Sequence, residues 1–228
     1  LVSWAREMCI RDRYINNMKN ILITGANRGI GLKFTEILSA NNNIYATARD
    51  ITNADDLKKF DNTELLELDL LNKDSIKSFC SELKDIPLDM IINNAGIFQD
   101  EQMEETILDP ELWLDEIMIN AIGPVVLSQK LKENIMSGND KKIIFISSQM
   151  GSIDDNYSGG YYFYRTSKSA LNSAAKSLSI DWKADGISVL MLHPGWVRTD
   201  MGGSNAKLDL DTSVRKMLDV INSLDMSK

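Results

Sequence analysis

Six short apolar runs alternate with longer stretches of helical patterning along this chain, and that alternation admits few architectures. The runs cover 21–24, 44–48, 64–68, 89–93, 142–147 and 187–192. Helical stretches open near Ile30, Asp55, Lys73, Pro110, Tyr161 and Thr212. Strands alternating with helices predict βαβ units and so a parallel sheet with helices on both faces. The segments Ile91-Ile92-Asn93 and Lys142-Ile143-Ile144-Phe145-Ile146-Ser147 are nearly continuous in apolar residues, as doubly covered strands must be. Right-handed crossovers then give an α/β, doubly wound Rossmann-type parallel sheet in a single domain. A length of 228 residues suffices for one full core.

Composition removes several classes of function. The formal net charge is −8 and no basic run occurs, which argues against a nucleic-acid partner. Nothing approaches the roughly 18 apolar residues of a membrane span. Two cysteines, Cys9 and Cys80, make neither a disulfide framework nor a metal site, and a cytoplasmic setting follows. Residues 1–13, which read LVSWAREMCIRDR, resemble a translated sequencing adapter. Residues 1–17 are therefore expected to be a non-native leader, with the domain starting at Met18 and running to 228.

Directly after the first run comes Thr24-Gly25-Ala26-Asn27-Arg28-Gly29-Ile30-Gly31. Gly25 permits a sharp exit from the strand, and Gly29 lets backbone approach a pyrophosphate without a Cβ in the way. Gly31 lets the next helix pack close, its N-terminus aimed at the phosphates. A glycine-rich turn alone is a weak signal; placed between a strand and a helix, it reads as a dinucleotide cradle. An acidic residue closing the second strand would bind a ribose 2′-hydroxyl, but Arg49 stands there in Thr47-Ala48-Arg49-Asp50. Arg28 and Arg49 together suit a 2′-phosphate and hence NADP. Asp50 is the counter-argument, since NAD would be preferred if Asp50 faced the ribose.

The Gly-x-x-x-Gly-x-Gly spacing resembles that of the short-chain dehydrogenase/reductase family. Further landmarks recur in order: Asp69 after the third strand, Asn93-Asn94-Ala95-Gly96 after the fourth and Pro194-Gly195 after the sixth. The segments Tyr164-Arg165-Thr166-Ser167-Lys168-Ser169-Ala170-Leu171-Asn172 and His193-Pro194-Gly195-Trp196-Val197-Arg198-Thr199-Asp200 are similar to the C-factor/sniffer-like carbonyl reductase branch. The resemblance spans residues 19–226. It implies that Gly25, Asn27, Arg28, Gly29, Ile30 and Gly31 cradle the cofactor, that Asp69 and Leu70 border its adenine, and that Asn93, Ala95 and Gly96 line it. Pro194 and Gly195 belong to the same lining, and Val197 and Thr199 would hold the carboxamide. The family continues into one more edge strand, so a C-terminal truncation is expected here.

Carbonyl reduction needs a hydride donor, a proton donor and a group that stabilises charge on oxygen. Tyr164 and Lys168 share one face of a helix. A nearby ammonium favours phenolate, so Lys168 is expected to lower the tyrosine's pKa while also reaching the nicotinamide ribose. Spacing alone leaves Tyr161, with Arg165 four residues on, as a rival; the family likeness selects Tyr164. Ser147 and Ser148 both end the fifth strand, and the family's serine has glycine at its third following position, which is Gly151 and so selects Ser148. Asn120 lies inside a helix expected over 110–137, where Pro124 cannot donate to its carbonyl and a kink should follow. The family uses that asparagine to hold a proton-relaying water. The single His193 reads as a packing or loop residue, and Trp113 and Met118 as core or interface.

The chain therefore reads as an NADPH-dependent oxidoreductase acting on a small-molecule ketone, aldehyde or quinone without a metal. A homodimer through the helices near Pro110 and Tyr161 is open to it. The rival reading is a nucleotide-sensing protein that performs no chemistry; an epimerase of the longer-chain type is disfavoured by the glycine spacing.

Overall fold

The computed structural model describes residues 18–99 and 108–224; the expected leader at 1–17 and the chain end at Lys228 lie outside the described residues. Six parallel strands, β1 (Asn20–Ile23), β2 (Asn43–Ala48), β3 (Thr63–Glu67), β4 (Met90–Asn93), β5 (Lys142–Ile146) and β6 (Ser188–Leu192), form one sheet in the order β3-β2-β1-β4-β5-β6. The order reverses between β1 and β4, and in such sheets a crevice opens there beyond the carboxyl ends of the strands.

Strand alternation divides the core in two. Leu22, Ile91, Ile143 and Phe145 face one layer with Phe79, Leu127, Leu171 and Ala175. Ile21, Ile23, Ile92 and Ile144 face the other, with Phe34, Met217 and Ile221. The covering helices are α1 (Gly29–Leu38), α2 (Lys73–Glu82), α3 (Pro110–Ile117), α4 (Gly123–Lys130), α5 (Lys132–Ser137), α6 (Tyr162–Asp181) and α7 (Leu210–Ser223). Caps set several starts: the Asn72 side chain accepts from Asp74 N and Ser75 N, and Asp109 accepts from Glu111 N and Leu112 N with Pro110 in the first turn.

Two helices differ from the sequence expectation. The one expected near Asp55 is a pair of short 3-10 segments, Ile51–Asn53 and Asp55–Lys59. The long helix over 110–137 is interrupted by a π-helical turn, Met118–Ile122, which carries Asn120. Pro124 then sits in the first turn of α4, where its missing N–H costs nothing, so the widened turn takes the place of a kinked α-helix.

Candidate active site

The exit of β1 is laced to the exit of β4. The Thr24 hydroxyl accepts from Asn94 N and Ala95 N, each at 3.0 Å, and Asn94 Nδ2 donates to the carbonyls of Thr24 (2.9 Å) and Gly25 (3.0 Å). Gly25 has φ +62°, and a Cβ there would stand 2.9 Å from Ala95 Cα. At Gly31 a Cβ would lie 2.3 Å from the Gly25 carbonyl oxygen and 2.6 Å from Asn94 Nδ2. The turn is thus packed from behind and opens the start of α1 toward the crevice.

Three adjoining pockets make up that crevice. Gly25, Asn27, Arg28, Arg49, Asp69, Leu70, Ala95 and Gly96 line the end beside β2 and β3. Arg28, Gly29, Ile30, Gly96, Tyr164, Lys168, Pro194 and Thr199 line the middle. Ser148, Tyr164, Gly195, Val197 and Thr199 line the outer end, with Phe98, Trp196 and Met201. Most of the sequence candidates therefore converge, while Gly31, Asn93 and Asn120 lie behind the lining. Asn93 is buried and donates to Ser128 Oγ at 3.0 Å, because successive side chains of a strand point to opposite faces. Its neighbour Asn94 faces the pocket instead.

At the wet end, the Asp50 carboxylate accepts from Thr52 N (2.9 Å), Thr52 Oγ1 (2.6 Å) and Asn53 Nδ2 (2.6 Å). Those bonds hold its pKa below the usual carboxylate value and turn it into its own 3-10 cap. Arg28 is engaged by an acidic neighbour: its Nη1 donates to Asp200 at 2.8 Å.

At the other end, Ser147 donates to Asn172 Oδ1 at 2.6 Å and is thereby committed to α6. Ser148 accepts from Met150 N and shares a hydrogen bond with the Tyr164 hydroxyl. Gly151 closes this turn against α6, where a Cβ would meet Asn172 Nδ2 at 2.8 Å and the Lys168 carbonyl carbon at 2.9 Å. Tyr161 precedes α6 in a left-handed conformation (φ +53°) and is 48% exposed, on the rim of the outer pocket.

Lys168 is buried, with Nζ donating to the Ile146 carbonyl at 2.9 Å and lying 5.6 Å from the Tyr164 ring centre. Desolvation pulls its pKa down to about 8. The Tyr164 phenol moves the opposite way to the expectation, pushed up to about 12. Burial is the main cause, the Glu116 carboxylate adds to it, and the Ser148 hydrogen bond opposes it. In this geometry desolvation outweighs the opposing hydrogen bond, so Tyr164 holds its proton firmly.

Asn120 is also committed by its side chain. Oδ1 accepts from Ile97 N at 2.8 Å, while Nδ2 donates to the Ile97 carbonyl (2.9 Å), Ser167 Oγ (3.1 Å) and Glu116 Oε1 (3.3 Å). Trp113 reaches α6, donating to Thr166 Oγ1 at 2.7 Å and stacking on Phe163. His193 sits on the wall of the outer pocket, its pKa pushed down by burial. Sequence reading missed Thr24, Asn94, Phe98 and Glu116. Asn94 lay inside a quoted motif, but nothing in the motif separates it from Asn93.

The profile described as short chain dehydrogenase matches residues 19–209. The C-signal of Myxococcus xanthus is 37% identical over 150 residues, covering 66% of this chain and 90% of that protein. Among solved structures, the carbonyl reductase Sniffer of D. melanogaster superposes with a TM-score of 0.84 at 36% identity, covering 92% of this chain and 94% of its own. An NADPH-bound carbonyl reductase from chicken fatty liver gives 0.83 at 33% identity, covering 92% and 93%.

Proposed function

The chain belongs to the short-chain dehydrogenase family, and from that membership we propose that it is an NADPH-dependent reductase of small ketones, aldehydes or quinones. The observation that carries this reading is the hydrogen bond between Ser148 and Tyr164, with buried Lys168 behind it, at the head of a glycine cradle. The cradle fits a dinucleotide: Gly31 and Gly25 stand where any Cβ would strike backbone. Gly25, Asn27, Gly29, Ile30 and Gly31 would hold the pyrophosphate, and Asp69 and Leu70 the adenosine. Arg28 and Arg49 would hold the 2′-phosphate, an assignment helped by Asp50 turning into its own cap. Ala95 and Gly96 would line the cofactor, and Pro194, Gly195, Val197 and Thr199 would surround the nicotinamide. NADPH, when bound, supplies the hydride to the carbonyl carbon.

The remaining steps belong to the protein. Tyr164 and Ser148 hydrogen-bond the substrate oxygen, and Tyr164 gives it a proton as negative charge develops there. The Lys168 ammonium stabilises the phenolate left behind. The Asn120 side chain is spent on Ile97, which leaves the proton relay to its backbone carbonyl. Exposed Leu114, Ile122 and Tyr162 support a homodimer through α3 and α6, which light scattering tests. No described helix is long and apolar enough to cross a membrane. NADPH oxidation, followed optically with a panel of ketones, quinones and aldehydes, tests the function. Saturable NADPH binding without turnover on any of them would favour the nucleotide-sensing alternative.

A further inference from the structure

Glu116 closes α3 one residue before its last position, and its side chain is wholly buried. It lies four residues before Asn120, across the junction with the π-helical turn, and accepts a hydrogen bond from Asn120 Nδ2 at 3.3 Å. Together they grip the segment that leaves β4. Asn120 binds the N–H and carbonyl of Ile97, and Glu116 Oε2 accepts from Gln99 N at 3.0 Å. The residue held between these two anchors is Phe98. Its ring stands edge-on to Tyr164, with centres 5.0 Å apart at 77°, and also tilts against Tyr161 at 5.8 Å.

The same carboxylate bears on the charges of the site. The groups that face the Lys168 ammonium are Tyr164 from its own helix, the Ile146 carbonyl from β5, Glu116 from α3 and the backbone at Gly96. A Cβ at Gly96 would lie 3.1 Å from Asn120 Oδ1 and 3.7 Å from Lys168 Nζ, so little but backbone separates the two arms. Glu116, Asn120 and Lys168 are all buried, and a charge there acts further than it would at the surface. A negative charge favours protonated lysine and protonated tyrosine alike.

We propose that Glu116 is a positioning residue for the reduction: it fixes the Phe98 segment that walls Tyr164, and it supplies the buried negative charge that keeps the Lys168 ammonium and the Tyr164 phenol protonated. The kinetic half of this proposal rests on the carbonyl-reductase reading. Glu116→Gln preserves size and one acceptor while removing the charge. The alkaline limb of its kcat profile should move down by about one pH unit, a tenfold loss above the limb, with NADPH affinity within about twofold of the parent. Glu116→Asp keeps the charge and should restore the limb to its parental position. A Glu116→Gln profile superimposed on the parent's, with equal kcat, overturns the proposal.

A second measurement needs no substrate and therefore stands even if no carbonyl is reduced. In a melting-temperature cycle of Glu116→Gln, Lys168→Met and the double variant, the double should lose less than the sum of the singles. Additive losses overturn the charge coupling. If Glu116→Gln alone does not fold, a folded double variant supports the coupling and an unfolded one overturns it.

Discussion

At the β2–β3 end of the crevice the charged side chains are solvated, whereas at the β4–β5 end they are dry. Arg28 and Asp200 meet at 2.8 Å with side chains 63% and 79% exposed, while Lys168 is 4% exposed and Glu116 fully buried. In water an ion pair contributes about 0–1 kcal/mol and its partners exchange easily. In the dry half, burial is the main cause that brings Lys168 to about 8 and Tyr164 to about 12. Under the proposed function, one end would recognise a phosphate by matching geometry at small energetic stakes, while at the other each proton would have a fixed place and moving it would change the rate.

The largest effect should come from the dry end. Tyr164→Phe should reduce turnover at least about a hundredfold while leaving NADPH binding nearly intact, within the usual range for a general acid. Tyr161→Phe, on the exposed rim, should do little. A reversal of the two effects in steady-state kinetics would move the proton donor to Tyr161, just before α6.

Next in size is the pH dependence of the same groups. With Lys168 titrating at about 8, kcat/KM for reduction should fall about tenfold per pH unit above that value. Stability has its own sign. Lys168 has a folded pKa below its ordinary 10.5, so the folded state binds fewer protons between about pH 8 and 10 and its contribution to stability rises there. Tyr164 is raised above its ordinary 10, so its contribution falls with pH between 10 and 12. Denaturant titrations of the parent against Lys168→Met isolate the lysine; an unchanged difference from pH 7 to 10 would remove the dry-site account.

The two ends were also unequally legible in the sequence. Strand positions were read to within a residue because doubly covered strands leave near-continuous apolar runs, and the glycine turn could be read because few residues tolerate its crowding. The segment after Asp55 was misread as a helix since its leucine and charges fit a helical period that the 3-10 turns satisfy over only five residues. Asn93 and Asn94 could not be separated, because a strand's last residue and the one after it differ only in which face they present. The shift of Tyr164 was misjudged because a Tyr–Lys spacing reports that an ammonium is near but not how much water has been lost. Glu116 gave no signal at all, being an ordinary acidic residue in an amphipathic helix until Gln99 and Asn120 close on it.

At the wet end, replacing Arg28 and Arg49 together should raise KM for NADPH about tenfold, roughly 1.4 kcal/mol, and hardly touch NADH. Equal kinetics of the parent with both nucleotides would undo that assignment.

The smallest expected effect tests the wet end most directly. Asp200 occupies the Arg28 guanidinium at 2.8 Å, and a 2′-phosphate arriving there must compete with it or share the fork. Both side chains are more than half exposed, so releasing the pair costs only about 0.5 kcal/mol. Asp200→Asn removes the competing charge without altering size, and KM for NADPH should fall about twofold. NADH, which carries no 2′-phosphate, should be unaffected, and the effect should fade at high salt as screening weakens the pair. In an Arg28→Ala background the same substitution should change nothing, because its whole effect passes through the guanidinium. A gain that persists there would mean that Asp200 acts on the nucleotide through the general field of the crevice and not through Arg28.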